Sequence, residues 1–219
     1  MAESPPPSPL KPRKKPVQGR SEQTVAALIE AAAQVLEAAG LEGYNTNAVA
    51  QRAGVSVGSL YQYFPSKDAL TVALMQREST SFFKEGERAL LDSCGRDAVQ
   101  RYIEAAVRQQ LARPRLARLL DIEESRTDLQ AGIKDVGSFR SLLVKVLEGP
   151  GLPPQRRTAV AVSDLLSIVR ALTDAAGERG ETDLEDLAAR IGVAVFGYLE
   201  GLSRLDNASS SATVSGKSN

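Results

Sequence analysis

The chain of 219 residues has no histidine, no tryptophan and a single cysteine, Cys94. Without histidine there is no Ser-His-Asp or Cys-His arrangement, no histidine-ligated metal and no ordinary general base near neutral pH. One cysteine forms no intrachain disulfide and no cysteine-built zinc site. No catalytic residue, metal or cofactor is therefore expected, and the chain is not expected to be an enzyme. Net charge is equally silent. The 27 basic and 27 acidic residues cancel, so only the distribution of charge can point to a partner. No apolar run approaches the ~20 residues that span a bilayer, and no membrane partner is expected. The proline-rich, then basic, N-terminus lacks the apolar stretch of a secretory signal. A cytoplasmic location is expected.

What is present has almost entirely helical period. Residues 1–20 read as a disordered arm, with Lys11, Arg13, Lys14, Lys15 and Arg20 against Glu3, a local charge of +4. Residues 206–219 read as a polar, serine-rich tail. Its "SGKS" is no phosphate-binding loop, because Ser211 stands where the motif needs glycine. Between them Val25, Leu28, Ile29, Ala32, Val35, Leu36 and Ala39 form one apolar stripe that Gly40 ends. Thr127 with Gln130, and Thr182 with Glu185, read as capping boxes. Pro114 suits a first helical turn. No alternating strand pattern is found. The expected fold is all-α, with about nine helices near 21–39, 46–53, 57–63, 67–92, 96–112, 114–125, 128–148, 153–177 and 182–204.

The most informative stretch is "NTNAVAQRAGVSVGSLYQYFPSKDAL", residues 45–70. Thr46 or Asn45 caps a short helix, and Ala50 is small enough for a second helix to cross closely. Gly54 supplies the positive φ of a tight turn. Ser56 caps the second helix and Leu60 anchors it inward. Two short helices joined in this way are a helix-turn-helix. The residues left outward are Val57, Gly58, Ser59, Tyr61, Gln62 and Tyr63. Hydroxyls and amides suit phosphates and base edges, and small residues allow close approach to a duplex.

The run Gly54 to Lys67, within a match from about Ser21 to Leu74, resembles the DNA-binding signature of the TetR/AcrR family of bacterial transcriptional regulators. The resemblance implies a three-helix DNA-binding domain over 21–66 and a helical ligand-binding and dimerisation domain over 67–205. It also implies DNA-contacting roles. Thr46, Tyr61, Tyr63 and Lys67 correspond to phosphate- or backbone-contacting positions, Ser59 to a hydroxyl position near phosphate or base, and Asn47 can reach a base or phosphate. Val57 and Gly58 approach base edges, where Val57 can meet a thymine methyl. Gln62 is the candidate for hydrogen-bonded base readout. No side chain of the second helix is charged, so arginine-to-guanine readout from it is unavailable.

Residues 159–176 are apolar nearly all round, and the last helix adds Leu184, Leu187, Ile191, Val195, Phe196, Leu199 and Leu202. Pairing both with the same helices of a second copy buries them in a four-helix bundle. That homodimer is the expected partner arrangement, on a pseudo-palindromic double-stranded operator. An unidentified small-molecule effector is also implied by the resemblance. Its candidate contacts are Met75, Phe82, Phe83, Tyr102, Leu119, Ile122, Glu123, Phe139 and Leu143. Two other readings stand beside this one. One is an all-α small-molecule-binding protein or enzyme whose helix-turn-helix binds no DNA. The other is a protein that uses its N-terminal unit to bind protein.

Overall fold

The computed structural model describes residues 19–124 and 136–215. The basic arm up to residue 18, the Thr127–Gln130 capping box, the expected start of a helix at 128 and residues 216–219 lie outside the described residues. Among the described residues the fold is all helical, without strands. Its elements are α1 (Gly19–Gly43), α2 (Thr46–Arg52), α3 (Val57–Tyr63), α4 (Lys67–Leu91), α5 (Gly95–Ala112), α6 (Pro114–Glu124), α7 (Val136–Glu148), α8 (Thr158–Arg179) and α9 (Leu184–Ser215).

Two compact units are formed, one drawn from Met1–Ser79 and Arg115–Lys134, the other from Thr80–Pro114 and Asp135–Asn219. In the first, Leu28, Ala32 and Leu36 of α1 share a core with Val49 and Ala50 of α2, Leu60, Phe64, and Leu70 and Leu74 of α4. Leu116 and Leu120 of α6 belong to this core as well. The boundary therefore falls inside α4, and not at residue 66, because Leu70 through Met75 bury their apolar side chains in the first unit. By length and composition α1 (Ser21–Gly43, mean hydropathy 1.4) could cross a membrane. This corrects the expectation that no such stretch exists. Here its apolar stripe is core, with Leu28, Ala32 and Leu36 fully buried. Gly40 leaves helical geometry (φ 65, ψ −171) where the stripe ends, and the helix resumes as far as Gly43.

The second unit packs Val99, Tyr102, Ile103 and Val107 of α5 with Phe139, Leu143 and Leu147 of α7, Val162, Leu165 and Val169 of α8, and Leu187, Ile191, Val195 and Leu199 of α9. Each such fully buried side chain contributes on the order of 1.5–3 kcal/mol. Boundaries differ from the sequence expectation where loop chemistry intervenes. α8 starts at Thr158 rather than 153, after a loop in which Gln155 donates to the carbonyls of Pro153 (2.8 Å) and Leu199 (3.0 Å). It ends in a left-handed Gly180 (φ 71) whose N–H returns to Ala176 and Gly177. The cap of α9 is Asp183, whose Oδ1 accepts from Asp186 N at 3.0 Å, and not Thr182. The polar segment expected as a tail from 206 is helical as far as Ser215. Its first turn is held by buried Asp206, which accepts from Arg156 N at 3.2 Å.

Candidate nucleic-acid interface

The reading head is built by local turn chemistry on a buried anchor. Asn45, rather than Thr46, caps α2, its Oδ1 accepting from Ala48 N at 2.9 Å. The turn after α2 places Gly54 at φ 68 and returns Val55 N to the carbonyl of Ala50 at 3.0 Å. Among the described residues no atom crowds the site where a side chain at Gly54 would begin, so the requirement there is conformational, not spatial. Ser56 Oγ accepts from Ser59 N at 3.1 Å and caps α3. Leu60 and Phe64, four residues apart, are fully buried and fix which face of α3 points outward.

That outward face carries Gly58, Tyr61 and Gln62, all exposed, with Tyr61 at 42 %. Asn47 on α2 is also exposed, and Thr46 half-buried. The hydroxyls of Thr46 and Tyr61 approach to 3.2 Å, joining the first turn of α2 to α3. Val57, Ser59 and Tyr63 are half-buried rather than fully outward. Val57 and Tyr63 pack partly against the core, and Ser59 Oγ is held by Ser56 Oγ at 2.8 Å.

Lys67 opens α4, where Ser66 Oγ accepts from Ala69 N at 3.1 Å and Asp68 lies in the first turn. Its Nζ stands over the ring of Tyr44, 5.4 Å from the centroid. Tyr44 is buried, and its hydroxyl receives Thr71 Oγ1 at 3.1 Å. Burial pushes the Tyr44 phenol up to about 12; the Thr71 bond opposes this, and the negative charges of Glu123 and Asp68 add to it.

The effector candidates do not share one environment. Met75, Leu119, Ile122 and Glu123 belong to the first unit, where Ile122 is 46 % exposed and Glu123 is buried rather than superficial. Phe82, Phe83, Tyr102, Phe139 and Leu143 belong to the core of the second. There Tyr102 and Phe139 rings lie 5.4 Å apart, Phe83 and Phe139 5.3 Å, and Phe82 and Phe83 5.5 Å in an edge-on pair. An open groove of about 550 Å³ along α4 and α5 is lined by charged residues, including Glu85, Arg88, Arg101 and Arg108, and by none of the nine. Cys94 is exposed at the N-cap of α5.

Residues 28–74 match the profile of bacterial regulatory proteins of the tetR family. Over 64 residues, 29% of this chain, the sequence is 39% identical to the HTH-type transcriptional repressor KstR of Mycolicibacterium smegmatis. Over 76 residues, 35% of the chain, it is 34% identical to the A-factor receptor protein of Streptomyces griseus. These segments span 31% and 28% of those relatives' own length. The fold extends further. The transcriptional regulator FadR of Bacillus subtilis, solved in complex with stearoyl-CoA, superposes with a TM-score of 0.68 over 78% of this chain and 97% of its own, at 16% identity.

Proposed function

Since the chain belongs through residues 28–74 to the tetR family of bacterial regulatory proteins, we propose that it is a sequence-specific regulator of transcription that binds double-stranded DNA. It acts in the cytoplasm as a homodimeric repressor and leaves its operator when a small molecule binds the second unit. The observation that carries this reading is the division of α3. Leu60 and Phe64 are fully buried, and Gly58, Tyr61 and Gln62 are left to solvent on an uncharged face. Tyr61 and Thr46 hold one phosphate between them, Lys67 another, and Gln62 reads a base edge. Gly58 lets the backbone approach, and Val57 meets a thymine methyl. Asn47, Ser59 and Tyr63 complete the contact set.

The dimer rests on α8 and α9. Val160, Leu172, Val193 and Leu205 are 47 %, 39 %, 76 % and 68 % exposed. Gly197 and Gly201 sit inside α9, where glycine costs ~1 kcal/mol against alanine. A Cβ added at either would have no neighbouring atom within 4 Å among the described residues, the helix's own nearby backbone aside. No contact among the described residues accounts for them, and a second α9 crossing at close range would. Two reading heads then lie about 34–36 Å apart and demand an inverted-repeat site.

The proposed effector site is the apolar cluster of Phe82, Phe83, Tyr102, Phe139 and Leu143 in the second unit, which would take an apolar molecule. A 100-fold preference of that molecule for the non-binding conformation corresponds to about 2.7 kcal/mol of coupling.

The test is selection from random and genomic duplexes by the full chain at low ionic strength, read by fluorescence anisotropy. Recovery of an inverted repeat is expected. Failure to retain any duplex ends the reading and favours a small-molecule-binding protein with a silent helix-turn-helix.

A further inference from the structure

Both ends of α2 are tied by side chains. At its start Thr46 meets Tyr61 of α3. At its end Arg52 donates from Nε to Oε1 of Gln34 on α1, at 2.7 Å. Gln34 donates in turn from Nε2 to Oε1 of Glu30, one helical turn away, at 3.0 Å. The other Glu30 oxygen accepts from Nη1 of Arg77 on α4, at 2.8 Å. Arg77 spends Nε and Nη2 on Oε1 of Glu78, at 2.9 and 2.6 Å. The outcome is an unbroken polar chain through α2, α1 and α4, wholly inside the first unit.

The chain has a fixed polarity. Reversing the Gln34 amide would set donor against donor at Arg52 and acceptor against acceptor at Glu30. Arg77 is held through three of its nitrogens, so its guanidinium plane is defined. Stability is a weak explanation for the arrangement. The Arg77 and Glu30 side chains are 31% and 43% exposed, and pairs so exposed contribute little. The apolar core already unites α1 and α4 through Leu28, Leu70 and Leu74. α2 is anchored only through small side chains. It has seven residues and buries only Val49 and Ala50. Two small anchors leave its rotation about its own axis weakly fixed by packing, and that rotation decides where Thr46 points.

We propose that Gln34, Glu30 and Arg77 are positioning residues for the DNA-reading pair α2–α3. They make no contact with DNA. They set the pose of α2 from α4 and so bring Thr46 and Tyr61 into register with the phosphates. The proposal rests on the DNA-binding reading above. Arg77 stands two residues before the unit boundary at Ser79. Through this chain, operator affinity depends on where α4 places Arg77.

The experiment uses the full chain and the duplex selected by the wild type, with affinity measured across a salt series. Glu30→Gln and Arg77→Gln each weaken binding roughly three- to tenfold, with the slope of log K against log salt unchanged and helical circular dichroism intact. The double variant loses no more than either single one. A shallower slope overturns the proposal, because it marks a lost phosphate contact. So do additive losses, or wild-type affinity in both single variants. A wild type that binds no duplex overturns the DNA-binding reading itself, which distinguishes that failure from a failure of positioning.

Discussion

Lys67 Nζ lies 5.4 Å from the centroid of the Tyr44 ring, at the junction where α3 gives way to α4. The lysine side chain is thereby propped on a buried aromatic residue whose own hydroxyl is tied to Thr71. A cation held in this way would bind the proposed phosphate with less side-chain entropy left to lose.

Replacing Lys67 by Gln therefore makes the salt dependence of DNA binding by the proposed dimer shallower by about 1.8 in log–log slope, the signature of one phosphate contact per protomer. Fluorescence anisotropy at several ionic strengths measures it. An unaltered slope would reduce Lys67 to a structural cover for Tyr44.

Tyr61→Phe removes the phenol that meets Thr46 at 3.2 Å. Binding weakens by about 1.5–3 kcal/mol, the range for a hydrogen bond to a charged group, and does so across operator sequences alike. Thr46→Ala adds less in that background than alone if, as proposed, the two hydroxyls serve one phosphate. Gln62→Ala instead relaxes base preference at one position per half-site, which repeated site selection detects. An unchanged selected site would remove Gln62 from the readout.

Val193→Asp and Gly197→Leu each convert the proposed dimer to monomer in sedimentation velocity, with helical content retained. Both positions face open space within the protomer, so the chain alone has no reason to unfold. A dimer that persists in both variants places the interface elsewhere.

Tyr44 gives a pH prediction with a defined sign. Its phenol titrates near 10 in the unfolded chain and near 12 in the folded one. Below pH 10 it is protonated in both states and its contribution to stability is complete. Between pH 10 and 12 the unfolded chain loses the proton first, so stability falls as pH rises, by at most about 1.4 kcal/mol per pH unit. Tyr44→Phe flattens that decline in urea titrations run across the window. Equal slopes in both proteins would show that Tyr44 is not its source.

The reading head was legible because its determinants are local. Gly54, Ser56 and Leu60 act within a few residues, and the observed φ of 68 at Gly54 and the Ser56 cap follow from side-chain chemistry alone. Local competition was harder to read. Asn45 takes the α2 cap from Thr46, and Asp183 takes the α9 cap from Thr182, because either neighbour could serve and tertiary placement chooses. Partnerships between distant segments left no trace in periodicity. Glu123 is buried and Ile122 beside it exposed, the opposite of what their polarity suggests. The Arg52–Gln34–Glu30–Arg77 chain spans separations of 18 and 47 residues, which no spacing rule addresses. For the same reason the spacing of Met75 and Phe82, seven residues apart on one helix, does not reveal that they pack in different cores.

Leu116 and Leu120 complete the first core from a helix some forty residues downstream of its other members. The reading head is consequently not a cassette. A graft that moves only the first 79 residues onto another effector half leaves behind two of the leucines that the graft needs. Chimeric regulators made from this chain would have to carry α6 with them, or find in the host a helix of the same shape.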